Sequence, residues 1–421
     1  MTQRNRRPSL LILIAPGILV AATGVGAGDL ATASFTGIHL GMAVLWAVLV
    51  GAFLKFVINE GIARWQLVTG QTLLEGCVRN LGRPFQILFL AYLLLWSLFV
   101  GTALMSACGV AAHAIIPLFD DADTGKFWLG IVHSFFGVVF VYLGGFKLFE
   151  KVMGVCIAMM FITVVVTAAL VRPDLGDITM GLLIPTIPQF DGKGLVWTAA
   201  LMGGVGGTLT VLCYGYWIRE AGREGVEALR DCRIDLAVAY AITAVFGIAM
   251  LIIGSQLQVE GSGAGLITAL AERLEEQLGG VGKWVFLVGA WGAMFSSLLG
   301  VWQSVPYIFA DFCRLSSIKT RDEQASDVST TSRTYRVYLL AIAVVPIYGL
   351  RYGFQDVQKY YAMFGACFMP FLAILLIYLN GRTKSIGEQH KNRSVTNLVL
   401  SGILVFFTIT AYFLARDKFG G

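Results

Sequence analysis

Charge is what this sequence has least of. Of 421 residues only 14% are Asp, Glu, Lys or Arg, while 57% are hydrophobic; a soluble domain carries about a quarter charged residues. Histidine is scarce too, and the four (39, 113, 133, 390) are dispersed, which excludes a histidine metal cluster. The seven cysteines (77, 108, 156, 213, 232, 313, 367) are odd in number, scattered and never spaced C-x-x-C. They offer neither a disulfide framework nor a zinc site and read as small apolar fillers. There is no P-loop and no G-x-S-x-G, and nothing supports nucleic-acid binding. No catalytic constellation is visible, so neither an enzyme nor a bound cofactor is expected.

What is present is a succession of apolar segments, with a mean hydropathy of +0.75. Stretches near 20 apolar residues long enough to span a bilayer number eleven, near 11–38, 40–58, 85–116, 128–146, 152–171, 195–217, 235–256, 283–310, 336–350, 359–380 and 395–414. The basic opening Met1-Thr2-Gln3-Arg4-Asn5-Arg6-Arg7 has the look of a signal peptide. The apolar run behind it continues to Ile38, however, and so reads as a first span. With the N-terminus placed in the cytoplasm, 21 of the 31 Lys and Arg fall in inner segments and nine in outer ones, Lys55 lying within a span. That asymmetry predicts a multi-pass protein of the cell membrane with its N-terminus cytoplasmic and its C-terminus extracytoplasmic. Outside the bilayer, 265–278 sets Leu270, Leu274 and Leu278 at i, i+4, i+8, an amphipathic helix on the outer face. The polar stretch 316–334 reads as an inner linker.

Two of the spans are interrupted. The first carries Thr23-Gly24-Val25-Gly26-Ala27-Gly28-Asp29, and the sixth carries Gly203-Gly204-Val205-Gly206-Gly207-Thr208. Glycine weakens a helix, and free backbone groups at membrane depth are tolerated only where they line a cavity or are buried in protein. Matching interruptions in two halves point to a transporter binding site. Five spans being odd, the second half enters the membrane inverted. The expected plan is an all-α transporter domain over 1–421, with inverted repeats at 11–171 and 195–380 and an extra span at 395–414. Helix ends freed by these breaks present carbonyls and a negative dipole end to a cation. Thr23, Gly24, Val25 and Gly26 would supply carbonyls from the first span and Gly203 to Gly207 from the sixth, with hydroxyls from Thr208 and Thr210. Asp29 is expected as the carboxylate ligand, directly or through water, or as the N-cap of the helix that follows it. The expected metal-site residues are therefore Asp29, Gly26, Thr23, Gly204, Gly207 and Thr208. An oxygen-only set suits hard divalent ions. Glu60 and Arg64, at i, i+4 on the second span, read as either a surface pair or a gating latch. Lys55, one turn deeper, is expected to snorkel to the interface. Gln303, in the hydroxyl-rich 295–303 stretch of span eight, could serve helix packing or substrate contact equally.

These residues resemble a known family. Pro16-Gly17-Ile18-Leu19-Val20, then Gly28-Asp29-Leu30-Ala31-Thr32, is similar to the opening of the Nramp divalent-metal transporters. Asn59-Glu60-Gly61-Ile62-Ala63-Arg64-Trp65-Gln66-Leu67-Val68-Thr69-Gly70 resembles that family's second span and following loop, and Leu183-Ile184-Pro185 through Gly203-Gly204 its approach to span six. The resemblance covers roughly 10–380 and implies a LeuT-like five-plus-five fold, eleven helices and a divalent metal as cargo. Departures fall on the metal site. The family's Asp-Pro-Gly-Asn reads Gly26-Ala27-Gly28-Asp29 here, its Met-Pro-His falls on Gly207-Thr208-Leu209, and span three has no acidic residue. Proton coupling is therefore in question, and harder ions such as Mn²⁺, Mg²⁺ or Fe²⁺ are expected over soft ones. The competing expectation is a transporter of a small, cationic organic solute on the same scaffold, followed by a non-transporting sensor. In each case the chain is expected to act as a monomer in the lipid bilayer.

Overall fold

A computed structural model describes residues 10–190, 192–257, 263–317 and 329–419, and no strand occurs among them. Helix α1 (Leu10–Gly24) runs into a π-helical stretch, Val25–Thr32, and then α2 (Ala33–Leu40). α3 (Leu45–Thr69), α4 (Leu73–Ile115) and α5 (Ala122–Leu170) follow, then the short α6 (Leu175–Leu183). α7 (Gly192–Gly204) and α8 (Cys213–Glu220) are the two arms of the sixth expected span, and α9 (Leu229–Ser255) and α10 (Leu266–Ser317) come next. α11 (Arg333–Val344), α12 (Phe354–Ala366), α13 (Phe368–Asn380), the one-turn α14 (Thr383–Ile386) and α15 (Ser394–Phe419) complete the chain.

Local chemistry starts several of these helices. The Thr72 hydroxyl accepts from the Glu75 N–H at 3.1 Å, Asp121 accepts from the Thr124 N–H at 2.8 Å, and Asp174 from the Asp177 N–H at 3.0 Å. Each is an N-cap satisfying a donor that the first helical turn leaves free. Glycine bends two of the long helices: Gly82 (φ 66°) within α4 and Gly279 (φ 69°) within α10. The second bend separates the amphipathic helix, expected from the leucine spacing, from span eight. Leu270 and Leu274 are buried, and the side chain of Leu278 lies outside the described residues. The segment before Arg7 and most of the 316–334 linker also lie outside them.

Eight helices among the described residues are long and apolar enough to cross a membrane. The spans expected at 128–146 and 152–171 fall in one helical run, α5, within which Ala122–Leu143 has the length and Phe161–Leu170 is a shorter apolar helix. α1, α2 and α3 pack around α9, while α4, α5 and α10 pack on one another. Trp65, Trp96, Trp217 and Trp302 are fully buried in the core. Leu88, Leu94, Leu143 and Leu398, by contrast, are exposed on outward faces. An exposed apolar surface of this kind suits acyl chains and not water.

Candidate functional site

The two glycine-rich stretches meet in the interior. A methyl group at Gly24 would lie 2.4 Å from the Gly207 nitrogen, so the backbones touch there and only glycine fits. The stretches are nevertheless built differently. Val25–Thr32 stays wound as a π-helix, and the break expected in the first span does not occur. A π-turn widens the coil and turns the hydrogen-bond register without breaking the chain of bonds. Span six does break. α7 ends at Gly204, Gly206 and Gly207 take φ of 72° and 91°, and a 3₁₀ turn, Leu209–Leu212, leads into α8.

At this break a row of carbonyls loses its helical partners, and a side chain supplies the donors. The ammonium of Lys55, from α3, donates to the carbonyl oxygens of Gly203 (2.9 Å), Val205 (3.2 Å) and Gly207. Lys55 is completely buried, so the expected snorkelling is overturned. The reason is helix length. α3 runs to Thr69, which makes Lys55 the eleventh of its 25 residues and places it mid-span. An ammonium this deep is tolerated only with a full set of acceptors.

Asp29 lies within the π-helical stretch and is fully buried. Its carboxylate accepts from the Gly206 N–H at 3.1 and 3.2 Å. α2 has no side-chain cap at its start, so Asp29 does not cap its own second half-helix. It caps the break in the opposite span instead. The Asp29 carboxylate and the Lys55 ammonium flank one peptide stretch, whose Gly206 N–H faces the first and whose carbonyls of Gly203, Val205 and Gly207 face the second.

Of the other expected metal-site residues, Gly207 directs its carbonyl to the same charge as Gly203 and Val205. Gly204 closes a turn, its carbonyl accepting from the Gly207 N–H at 3.1 Å. The Thr208 hydroxyl accepts from the Trp96 indole at 2.9 Å, while Thr210 is buried beside Gly207. The Thr23 hydroxyl bonds back to the Leu19 and Val20 carbonyls at 3.0 and 2.9 Å, away from Asp29. Gly26 lies in the π-helical stretch. Glu60 and Arg64 form a largely buried pair at 3.1 Å. Arg64 also donates to the His390 carbonyl and to Asn392, and Glu60 accepts from Arg233 of α9 at 2.7 Å. The pair thus ties α3 to α9 and to the segment before α15. Gln303 lies in α10, its carbonyl accepting from the Tyr335 hydroxyl at 3.0 Å.

Two further acidic or polar groups escaped sequence reasoning. Asp235, buried near the start of α9, accepts from the Gly17 N–H at 2.8 Å and from the Tyr214 hydroxyl and Arg223 at 2.9 Å each. It anchors the Pro16-Gly17 turn of α1, so Asp29 is not the one buried carboxylate among the spans. Asn59, one turn beyond Lys55 on α3, donates to the Tyr240 hydroxyl. For Asn59 the available signal was its place four residues after Lys55 in an apolar run. Among the described residues no group of three or more His, Cys, Asp or Glu side chains converges as a metal cluster.

Comparison with known proteins gives a consistent answer. The family model "Natural resistance-associated macrophage protein-like" (Nramp) matches residues 17–416. The divalent metal cation transporter MntH of Chromohalobacter salexigens is 23% identical over 261 residues, 60% of this chain and 58% of that protein. MntH of Staphylococcus aureus is 22% identical over 264 residues, 60% of this chain and 57% of its own length. The matched region thus spans less than two thirds of these relatives. Among solved structures, the Eremococcus coleocola manganese transporter, in complex with an aromatic bis-isothiourea substituted compound, superposes with a TM-score of 0.77 at 15% identity, covering 99% of this chain and 89% of that one. MhsT in complex with L-phenylalanine gives 0.64 at 15% identity, covering 98% and 100%. At such identities the likeness concerns the fold.

Proposed function

Since this chain belongs to the Nramp family, we propose that it is a secondary transporter carrying a hard divalent metal cation, of the Mn, Mg or Fe kind, across the cell membrane by alternating access. The observation that carries the reading is the break in span six. Three main-chain carbonyls there converge on one positive charge, and a buried carboxylate caps the same peptide stretch. Oxygen donors of this kind are hard ligands. They are backbone groups, so the loss of the family's thioether and imidazole does not remove them. Eleven spans, arranged as inverted repeats at 11–171 and 195–380 with an extra span at 395–414, belong to the same proposal. The contact of the two interrupted spans at Gly24 and Gly207 supports it. The N-terminus lies in the cytoplasm, the C-terminus outside, and the working unit is a monomer. The Glu60–Arg64–Arg233 network, at the cytoplasmic end of α3, acts as the inner latch.

A second reading rests on one specific observation. The Lys55 ammonium already stands on the break that Asp29 caps, so a divalent ion added there brings further positive charge, whereas a small neutral organic solute does not. Uptake into proteoliposomes of the purified full chain separates the two. Concentrative Mn²⁺ or Mg²⁺ flux, lost in a variant lacking Asp29, is the expected result. Flux of an organic solute with no divalent flux would replace the metal reading.

A further inference from the structure

We propose that Lys55 is a tethered competitor for the transported ion. Its ammonium holds the span-six carbonyls when the ion is absent, and ammonium and ion exchange places in each cycle. This rests on the metal-transport reading and adds the step that reading lacks. The Lys55 ammonium stands on the carbonyls of Gly203, Val205 and Gly207, which are the oxygens a cation bound at the break would need. Both charges cannot occupy them together at contact distance.

The structure also supplies a place for the displaced group. Asn59 is fully buried on the same helix, and its Oδ1 has no hydrogen-bond partner among the described residues, while its amide donates to Tyr240. An unpartnered buried acceptor is costly and calls for an explanation. Residues at i and i+4 share a helix face about 5–6 Å apart, and a lysine stem has four rotatable carbons. The ammonium can therefore swing from the carbonyls to Asn59 Oδ1 while staying in the interior. At that post it keeps its charge within reach of Asp29, so the incoming ion meets the carboxylate and freed carbonyls together. A tethered cation of this kind weakens apparent affinity by the fraction of time the site is vacant. It also keeps the break satisfied on the return step, when no ion is bound.

The test is equilibrium binding of Mn²⁺ and Mg²⁺ to the purified full chain by titration calorimetry, beside proteoliposome flux. If the carbonyls are vacant about one per cent of the time, Lys55→Met tightens apparent binding about 100-fold. Asn59→Leu, which leaves Lys55 on its carbonyls but removes the resting post, weakens binding about tenfold. Divalent flux by the unaltered protein with equal affinity in folded Lys55→Met overturns the exchange and leaves metal transport standing. Absence of divalent binding and flux in both overturns the functional reading, and the exchange with it. If Lys55→Met does not fold, Asn59→Leu decides, and affinity equal to that of the unaltered chain overturns the proposal.

Discussion

Val25–Thr32 and residues 205–208 are similar in composition and opposite in outcome. Each combines glycines with valine and small residues, yet the first remains helical and the second breaks. The difference lies in spacing. In the first, Gly24, Gly26 and Gly28 alternate with Val25 and Ala27, so a reversal of the chain would force a Cβ-bearing residue into left-handed values. In the second, Gly206 and Gly207 are adjacent, and both take positive φ, which glycine adopts without steric penalty. Two consecutive free residues make a break; isolated ones make a widened helix. The charges follow the same division. The intact stretch holds the carboxylate, and the broken one offers its N–H to that carboxylate and its carbonyls to Lys55.

If the break depends on its two charges, removing one should matter more than any change of shape. Lys55→Met leaves three carbonyls without their donor and takes away the cation that faces Asp29 across the break, and removing one of two interacting buried charges costs about 3–5 kcal/mol. The metal-free variant should lose a large part of its thermal stability. Adding Asp29→Asn in the same chain should recover some of it, and strict additivity of the two losses would show that the groups are not coupled.

Asp29→Asn alone keeps an acceptor for the Gly206 N–H and discards the charge. Divalent affinity should fall by roughly two orders of magnitude, about 2.7 kcal/mol, with the fold retained. Near-normal affinity in calorimetry would leave Asp29 as a cap and place the whole burden of binding on the carbonyls.

Gly24→Ala tests the contact between the two stretches. The added methyl would sit 2.4 Å from the Gly207 nitrogen, against backbone that cannot yield cheaply. Overpacking of this sort costs about 1–3 kcal/mol, so both melting temperature and flux should drop. An alanine tolerated there without loss would mean the stretches separate easily.

The smallest effect is expected at the latch. Glu60→Gln weakens contacts to Arg64 and to the half-exposed Arg233, worth about 1 kcal/mol or less. A few-fold change in flux with unchanged ion affinity would mark a gate; a changed affinity would link it to the site.

Much of the scaffold was legible from sequence. Apolar runs, the amphipathic leucines at 270 and 274, the paired glycine-rich stretches and the burial of Asp29 all follow from composition and period, which report burial directly. The site was legible only in part. The sequence marks where backbone hydrogen bonds are weak, but not which group takes up those released. Gly204 and Thr23 were reasonable choices, yet their polar groups bond locally, a decision made by turn geometry.

Sequence by itself determined that this is a helical membrane protein of the Nramp kind, interrupted in two places and carrying a carboxylate at depth. Spacing of glycines determined which interruption could break. Only the tertiary structure decided that Lys55 belongs to the site. Where a helix ends sets how deep each residue on it lies, and α3 continues to Thr69 because it packs on α7 and α9. A lysine read as reaching for the edge of a membrane thus stands buried in the middle of its helix, against carbonyls contributed from about 150 residues away.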